Sequence, residues 1–180
     1  MKNNGPWKII SSEIKYKNPW IEVQEDKVIR PDGKDGIFGT VKMLDGISIL
    51  PIDNNGNVYI TREFKYGLGE ESFEVVSGGI DENENHLDCA KRELKEELGI
   101  IAENITYLGV VNPFTSVIKS KAYLYLAQDI SFTKSKNDGT ETIKLTKLPL
   151  QEVYNMVISG KITHGPSCVL ILKAYYYLTI

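Results

Sequence analysis

The stretch from Gly78 to Ile100, GGIDENENHLDCAKRELKEELGI, constrains this chain more than any other part of it. Leu87, Ala90, Leu94 and Leu98 recur at three- and four-residue steps, the spacing of one buried helix face. Asn85 stands where an N-cap belongs, and Asp88 puts negative charge in the first turn. Gly99 can take the left-handed conformation that ends a helix. The spacing therefore predicts a helix from His86 to Leu98. On it, Glu93, Glu96 and Glu97 sit at i, i+3 and i+4, three carboxylates on one face within a turn of each other. Like charges that close repel. Either Lys91, Arg92 and Lys95 neutralise them, as on an ordinary surface helix, or a cation sits among them. An all-oxygen donor set suits Mg²⁺ or Mn²⁺ rather than Zn²⁺.

The flanks choose between these readings. Gly78, Glu84, Arg92, Glu93-Leu94, Glu96-Glu97 and Gly99-Ile100 all stand where the box of the Nudix hydrolases has them, and on these residues the chain resembles that family. The resemblance implies Mg²⁺-dependent cleavage of a nucleoside diphosphate linked to another moiety. It also implies an α/β/α sandwich, which agrees with the α+β arrangement suggested by many strands and few helices. Under the resemblance Glu93 and Glu97 are direct metal ligands, and Glu96 is a ligand or the close partner of one. Glu84 binds a further ion through water or steadies the helix. Arg92 is expected to pair with a box glutamate and orient it. Gly78-Gly79 lets the backbone turn tightly beside the metal. His86 reads as a surface residue, and Cys89 as a small packing residue rather than a nucleophile.

A chain of 180 residues is long enough for one domain with a real core and a small appendage. A net charge of −3 with no Lys/Arg run argues against a nucleic-acid partner. Cys89 and Cys168 form no CxxC, so a reduced pair is expected. No apolar run approaches membrane-spanning length, and the N-terminus lacks an apolar signal-like stretch. A cytoplasmic protein with no membrane partner is expected.

Ahead of the box the chain reads as strands with turn punctuation. Trp7–Ile10 and Ile14–Tyr16 are short candidates, and a longer one follows from Trp20 to Ile29. Pro31-Asp32-Gly33 and Asp35-Gly36 are turn signals. Phe38–Met43 and Ile47–Ile52 come next, then the hairpin turn Asn54-Asn55-Gly56 into Val58–Thr61. Phe73–Val76 leads into the box. After it, Ile105–Val111, Lys121–Ala127 and Ile143–Leu148 read as strands. The polar stretch Ser131–Thr142 reads as a mobile loop. Leu150–Ser159 reads as a helix ended by Gly160, Ile162–Ser167 as a turn, and Cys168–Tyr177 as a final, largely buried helix.

Outside the box, Asn18-Pro19-Trp20, Val28–Gly33, Arg62–Tyr66 and Phe73–Gly78 resemble the ADP-ribose pyrophosphatase and nucleotide-sugar hydrolase branch of the family. Val76 and Ser77 depart from it, standing where the branch has proline and alanine. The resemblance divides the chain into an N-terminal antiparallel β-strand extension (1–45, a dimerisation region) and a Nudix domain with a mixed sheet (46–180). It implies a homodimer with swapped N-terminal strands. The backbone carbonyl before the first box glycine, Ser77 here, is a further metal ligand in this branch. Trp20 either stacks on the base or packs in the core or dimer interface. Arg62 or Lys65 meets the diphosphate, or both face solvent. Glu74 bonds the ribose or base, or is a solvated strand residue. Glu141 matches the loop glutamate that serves the branch as general base. ADP-ribose is the expected substrate, with GDP-mannose or another nucleoside diphosphate sugar as the alternative. A nucleotide-sensing module would have lost box glutamates, and an RNA-decapping enzyme would carry a basic stripe.

Overall fold

The computed structural model describes residues 1–133 and 143–179. In chain order the first strands are β1 (Lys2–Asn4), β2 (Trp7–Lys17), β3 (Ile21–Ile29), β4 (Asp35–Met43), β5 (Gly46–Pro51), β6 (Asn57–Lys65), β7 (Glu70–Glu74) and β8 (Val76–Gly79). The helix α1 (His86–Leu98) follows, then β9 (Ile100–Val111), β10 (Ile118–Lys119), β11 (Ala122–Phe132) and β12 (Lys144–Pro149). The helices α2 (Leu150–Ile158) and α3 (Gly165–Thr179) close the chain. These elements form two compact units, Met1–Asp45 with Asn112–Ser120, and Gly46–Val111 with Lys121–Ile180.

The first unit is one sheet in the order β1-β2-β3-β4-β10, antiparallel except for the β4–β10 pair. The two short strands expected within residues 7–16 are a single strand, β2. Its pairing with β3 continues through bulges between Ile9 and Ser11 and between Ile14 and Tyr16. The Pro31-Asp32-Gly33 turn is present, with Gly33 at φ 82°. Asp35-Gly36 is not a turn. Arg30 N donates to Lys34 O at 2.8 Å, so the reversal is complete and β4 begins at once, with Asp35 opposite Ile29.

The second unit holds two sheets, β8-β5-β11-β9 and β12-β6-β7. β5 and β11 run parallel, and every other pair is antiparallel. Strand alternation sorts side chains to the two faces of the four-stranded sheet. Ile47, Ile49, Tyr125 and Ala127 cluster with Cys89, Ala90, Leu94 and Leu98 of α1. Leu50, Leu124 and Leu126 cluster with Val153 and Met156 of α2 and Leu170, Ile171 and Ala174 of α3. Helices thus cover both faces, the α/β/α arrangement expected. The turn from β5 to β6 is built on Asp53, whose Oδ1 accepts from Asn55 N at 3.0 Å and Asn57 N at 2.9 Å. Gly56 takes φ 77° there.

α3 starts earlier than its apolar run suggests. Gly165, Pro166 and Ser167 form its first turn rather than a loop, because a proline there gives up no helical hydrogen bond. It is buried on one side only, and Tyr176 and Tyr177 are exposed. Among the described residues no helix is long and apolar enough to cross a membrane.

Candidate active site

α1 is capped as its sequence predicts. The Asn85 side chain accepts from Leu87 N and Asp88 N, and Gly99 at φ 62° closes the C-terminus. Cys89, Ala90, Leu94 and Leu98 are buried against the sheet, and Glu93, Glu96 and Glu97 lie off that stripe. Arg92 sits at the centre of them. Its guanidinium grips Glu84 with two parallel bonds, Nε to Oε1 at 2.9 Å and Nη2 to Oε2 at 2.8 Å. Nη1 reaches Glu93 at 2.7 Å and Glu96 at 3.3 Å, and Nη2 donates to the Gly79 carbonyl at 3.2 Å. This fork holds the Glu84 carboxyl down at about 2, and burial works against it. Arg92 therefore pairs with Glu84, Glu93 and Glu96, and ties the loop before α1 to the helix.

Glu93 is placed by the opposite strand. A Cβ on Gly78 would fall 2.1 Å from its Cδ and Oε1, so only glycine lets this carboxylate lie on the β8 backbone. Burial pushes the Glu93 carboxyl up, with Arg92 pulling the other way. β8 itself is pinned through Ser77, whose Oγ lies 2.9 Å from the buried Ser48 Oγ and donates to Val75 O at 3.2 Å. Nothing in the sequence had pointed to Ser48.

Lys65 is the cation facing this group. Burial pulls its ammonium down, but Glu63, Glu74 and Glu97 more than offset that and leave it raised. Its Nζ lies 2.6 Å from Glu63 and 3.8 Å from Glu74. Glu74 is only 8 % exposed, so it is not a solvated strand residue. His164 Nδ1 stands 3.4 Å from Glu74 Oε2, and burial pulls that imidazole below its ordinary value. Arg62 is committed elsewhere, paired with Glu71 and laid over the Phe73 ring at 5.3 Å. Trp20 belongs to the first unit and is 70 % exposed, with its backbone N–H donating to Asn18 Oδ1. Glu141 lies outside the described residues.

His86 is exposed, as expected, but not idle. Its ring stacks on Tyr123 at 4.4 Å and bonds the Tyr125 hydroxyl. Cys89 is fully buried with its thiol pushed up to about 12, first by burial, so it is no nucleophile.

Among the described residues no three His, Cys, Asp or Glu side chains converge into a ready metal cage. Mg²⁺ does not require one, since it is commonly held by one or two carboxylates and completed by water and substrate phosphate oxygens. The donors here fit that pattern. All are hard oxygens, and a half-desolvated Glu93 lies in a cradle that a single Cβ at residue 78 would fill.

Residues 42–164 match the family model described as the NUDIX domain, and residues 7–41 match the nucleoside diphosphate sugar hydrolase N-terminal domain. The chain is 22 % identical to an ADP-ribose pyrophosphatase of Bacillus subtilis (strain 168), over 86 % of this chain and 85 % of that protein. It is 30 % identical to the ADP compounds hydrolase NudE of Escherichia coli (strain K12), over 63 % of this chain and 60 % of that protein. The crystal structure of an ADP compounds hydrolase has the same fold, with a TM-score of 0.84 at 19 % identity, covering 99 % of this chain and 97 % of that one. With its box complete and organised around Arg92, and the domain model spanning most of its length, this chain belongs to the Nudix hydrolase family.

Proposed function

We propose that this chain hydrolyses ADP-ribose with Mg²⁺, with Mn²⁺ as a substitute, and releases AMP and ribose 5-phosphate. The observation that carries the reading is the joined arrangement of Glu84, Glu93 and Glu96 on Arg92, with Lys65 in the field of Glu97. It offers oxygen donors for a cation and an ammonium for a diphosphate. The choice of ADP-ribose leans on the printed activities of the Bacillus and Escherichia relatives.

Glu93 and Glu97 with the Ser77 carbonyl would hold the metal, Glu96 would support them, and Glu84 would bind a further ion through water. When bound, the metal supplies charge stabilisation on the phosphate oxygens and acidifies water. Lys65 pairs with the diphosphate, and Glu74, beside it, bonds the nucleoside. Glu141 takes the proton of the attacking water. That water's oxygen bonds to one phosphorus while the bridging P–O bond breaks, and the bridging oxygen leaves on the other phosphate. Arg62, already paired with Glu71, has the weaker claim to the substrate.

Residues 1–45 form the dimerisation region in this reading, and swapped strands bring Trp20 to a base in the partner's site. Exposed Ile10, Ile14, Tyr16 and Trp20 in this segment support it, because such apolar surface is common where a partner packs. The protein is placed in the cytoplasm.

The test is a panel of ADP-ribose, GDP-mannose, UDP-glucose, dinucleoside polyphosphates and nucleoside triphosphates, with Mg²⁺, Mn²⁺ or chelator, and products identified by mass. AMP and ribose 5-phosphate from ADP-ribose, lost on chelation, is the expected result. Preference for GDP-mannose or another nucleotide sugar would favour the second reading, which the N-terminal family match supports. Nucleotide binding without turnover would leave a sensing module.

A further inference from the structure

The start of α3 reaches back to the strand that leads into the box. Ser167 is fully buried, and its Oγ accepts from Val75 N at 3.0 Å, across 92 positions of sequence. His164 Nδ1 lies 2.8 Å from that same Oγ and 3.4 Å from Glu74 Oε2. Glu74 in turn stands 3.8 Å from Lys65, which feels the charge of Glu97. One polar chain therefore runs from α3, through Glu74, to Lys65, with Val75 held by the same helix end.

The hydrogen positions follow from charge. A bare Nδ1 would aim its lone pair at a carboxylate oxygen 3.4 Å away. A proton on Nδ1 removes that repulsion and is shared between Ser167 Oγ and Glu74 Oε2. Ser167 Oγ then accepts from both Val75 N–H and His164 Nδ1–H, which uses both of its lone pairs. Two consecutive residues are thus fixed from one helix end, Glu74 by its side chain and Val75 by its backbone. Ser77, the carbonyl assigned to the metal, lies two residues beyond Val75.

We propose that His164 and Ser167 are positioning residues for the hydrolase reaction, holding Glu74, and through it Lys65, in register with the substrate. This rests on the substrate role given above to Glu74 and Lys65. Neither His164 nor Ser167 touches substrate. A pair that only started α3 would affect stability and leave kinetics alone.

The experiment uses the full chain with Mg²⁺ and ADP-ribose. His164→Ala and Ser167→Ala should each raise KM about tenfold, with a smaller fall in kcat. His164→Asn keeps an N–H near the Nδ1 position and should recover wild-type KM to within about threefold. In a Glu74→Gln background, His164→Ala should add less than about twofold, because its effect passes through Glu74. An equal effect with and without Glu74, or a lowered melting temperature with unchanged KM and kcat, would overturn the proposal. The long-range ¹H–¹⁵N spectrum of the imidazole gives a readout that needs no substrate. Wild type should show His164 protonated at Nδ1, and Glu74→Gln should shift that proton toward Nε2. A bare Nδ1 in the wild type, or a spectrum indifferent to Glu74→Gln, would also overturn it. Should the wild type leave ADP-ribose intact, the function reading falls, and the spectra still judge the pair.

Discussion

Gly78 and Glu93 are in close contact: a Cβ added at 78 would lie 2.1 Å from the Glu93 carboxyl carbon, so any other residue there displaces that carboxylate. The place of the Glu93 carboxylate against β8 thus depends on the absence of a side chain at 78. Gly78→Ala must push Glu93 off the β8 backbone or shift the strand, and misplacement of about 1 Å near reacting groups is worth roughly 100-fold in rate. Gly78→Ala should lower kcat/KM by about that factor. Because the clash is with a flexible side chain, stability should fall by less than about 1 kcal/mol. Steady-state kinetics and a thermal melt on the same sample check both. Full activity would mean that Glu93 does not need this position.

Lys65 and Arg62 separate in the same way. Arg62 is already matched to Glu71 and Phe73, while Lys65 carries the charge facing Glu74 and Glu97. Lys65→Met should raise KM for ADP-ribose at least about tenfold, the effect of losing one charge-assisted bond to a phosphate. Arg62→Met should stay within about threefold, the scale of an exposed ion pair. The reverse ranking would move the diphosphate contact to Arg62.

Much of this was legible in the sequence because it is local. The α1 caps, its buried stripe and the glutamate face all lie within one helical segment, and the structure has Asn85, Gly99 and Leu94 in those roles. Gly56 and Gly33 marked real turns because positive φ leaves few other choices. The failures came where distant segments meet. Asp35-Gly36 carries turn residues, yet the turn had already closed through Arg30 and Lys34. Glu74 reads the same in sequence whether solvated or buried, because His164, which stands beside it, lies far along the chain. Ser48 and Ser167 are ordinary serines in sequence, and their partners Ser77 and Val75 are set only by strand pairing and helix docking.

Asp53 gives the fold a defined acid limit. Lys147, at 2.8 Å, leads the groups that hold its carboxyl well below the usual range, with Asn57 and Tyr59 adding bonds and burial opposing them. A carboxyl whose folded value is depressed stabilises the fold above its ordinary value of 3.8, and that contribution is lost as pH falls toward the folded value. Urea-unfolding stability should therefore decline as pH drops below about 4. Asp53→Asn should flatten that part of the profile and lower stability at neutral pH by about 1 kcal/mol, or roughly 2–4 °C in Tm. A variant with an unchanged acid slope would remove Asp53 as a source of the pH dependence.

Glu97 and Glu141 are assigned to different parts of one reaction, so their losses should look different. Glu97→Gln removes a metal oxygen donor on α1 and should cut kcat by roughly 1,000-fold, several kcal/mol of lost charge stabilisation, while weakening the Mg²⁺ response. The circular dichroism spectrum should not change, because residue 97 lies off the buried stripe of α1. Glu141→Gln removes a proton acceptor and should lower kcat by roughly 100-fold or more, with the Mg²⁺ dependence intact and the acidic limb of the rate profile lost. Mg²⁺ titrations of both variants at several pH values distinguish them. Wild-type turnover in Glu97→Gln would break the metal assignment. An unchanged kcat and pH profile in Glu141→Gln would remove that residue from the mechanism and place the base elsewhere.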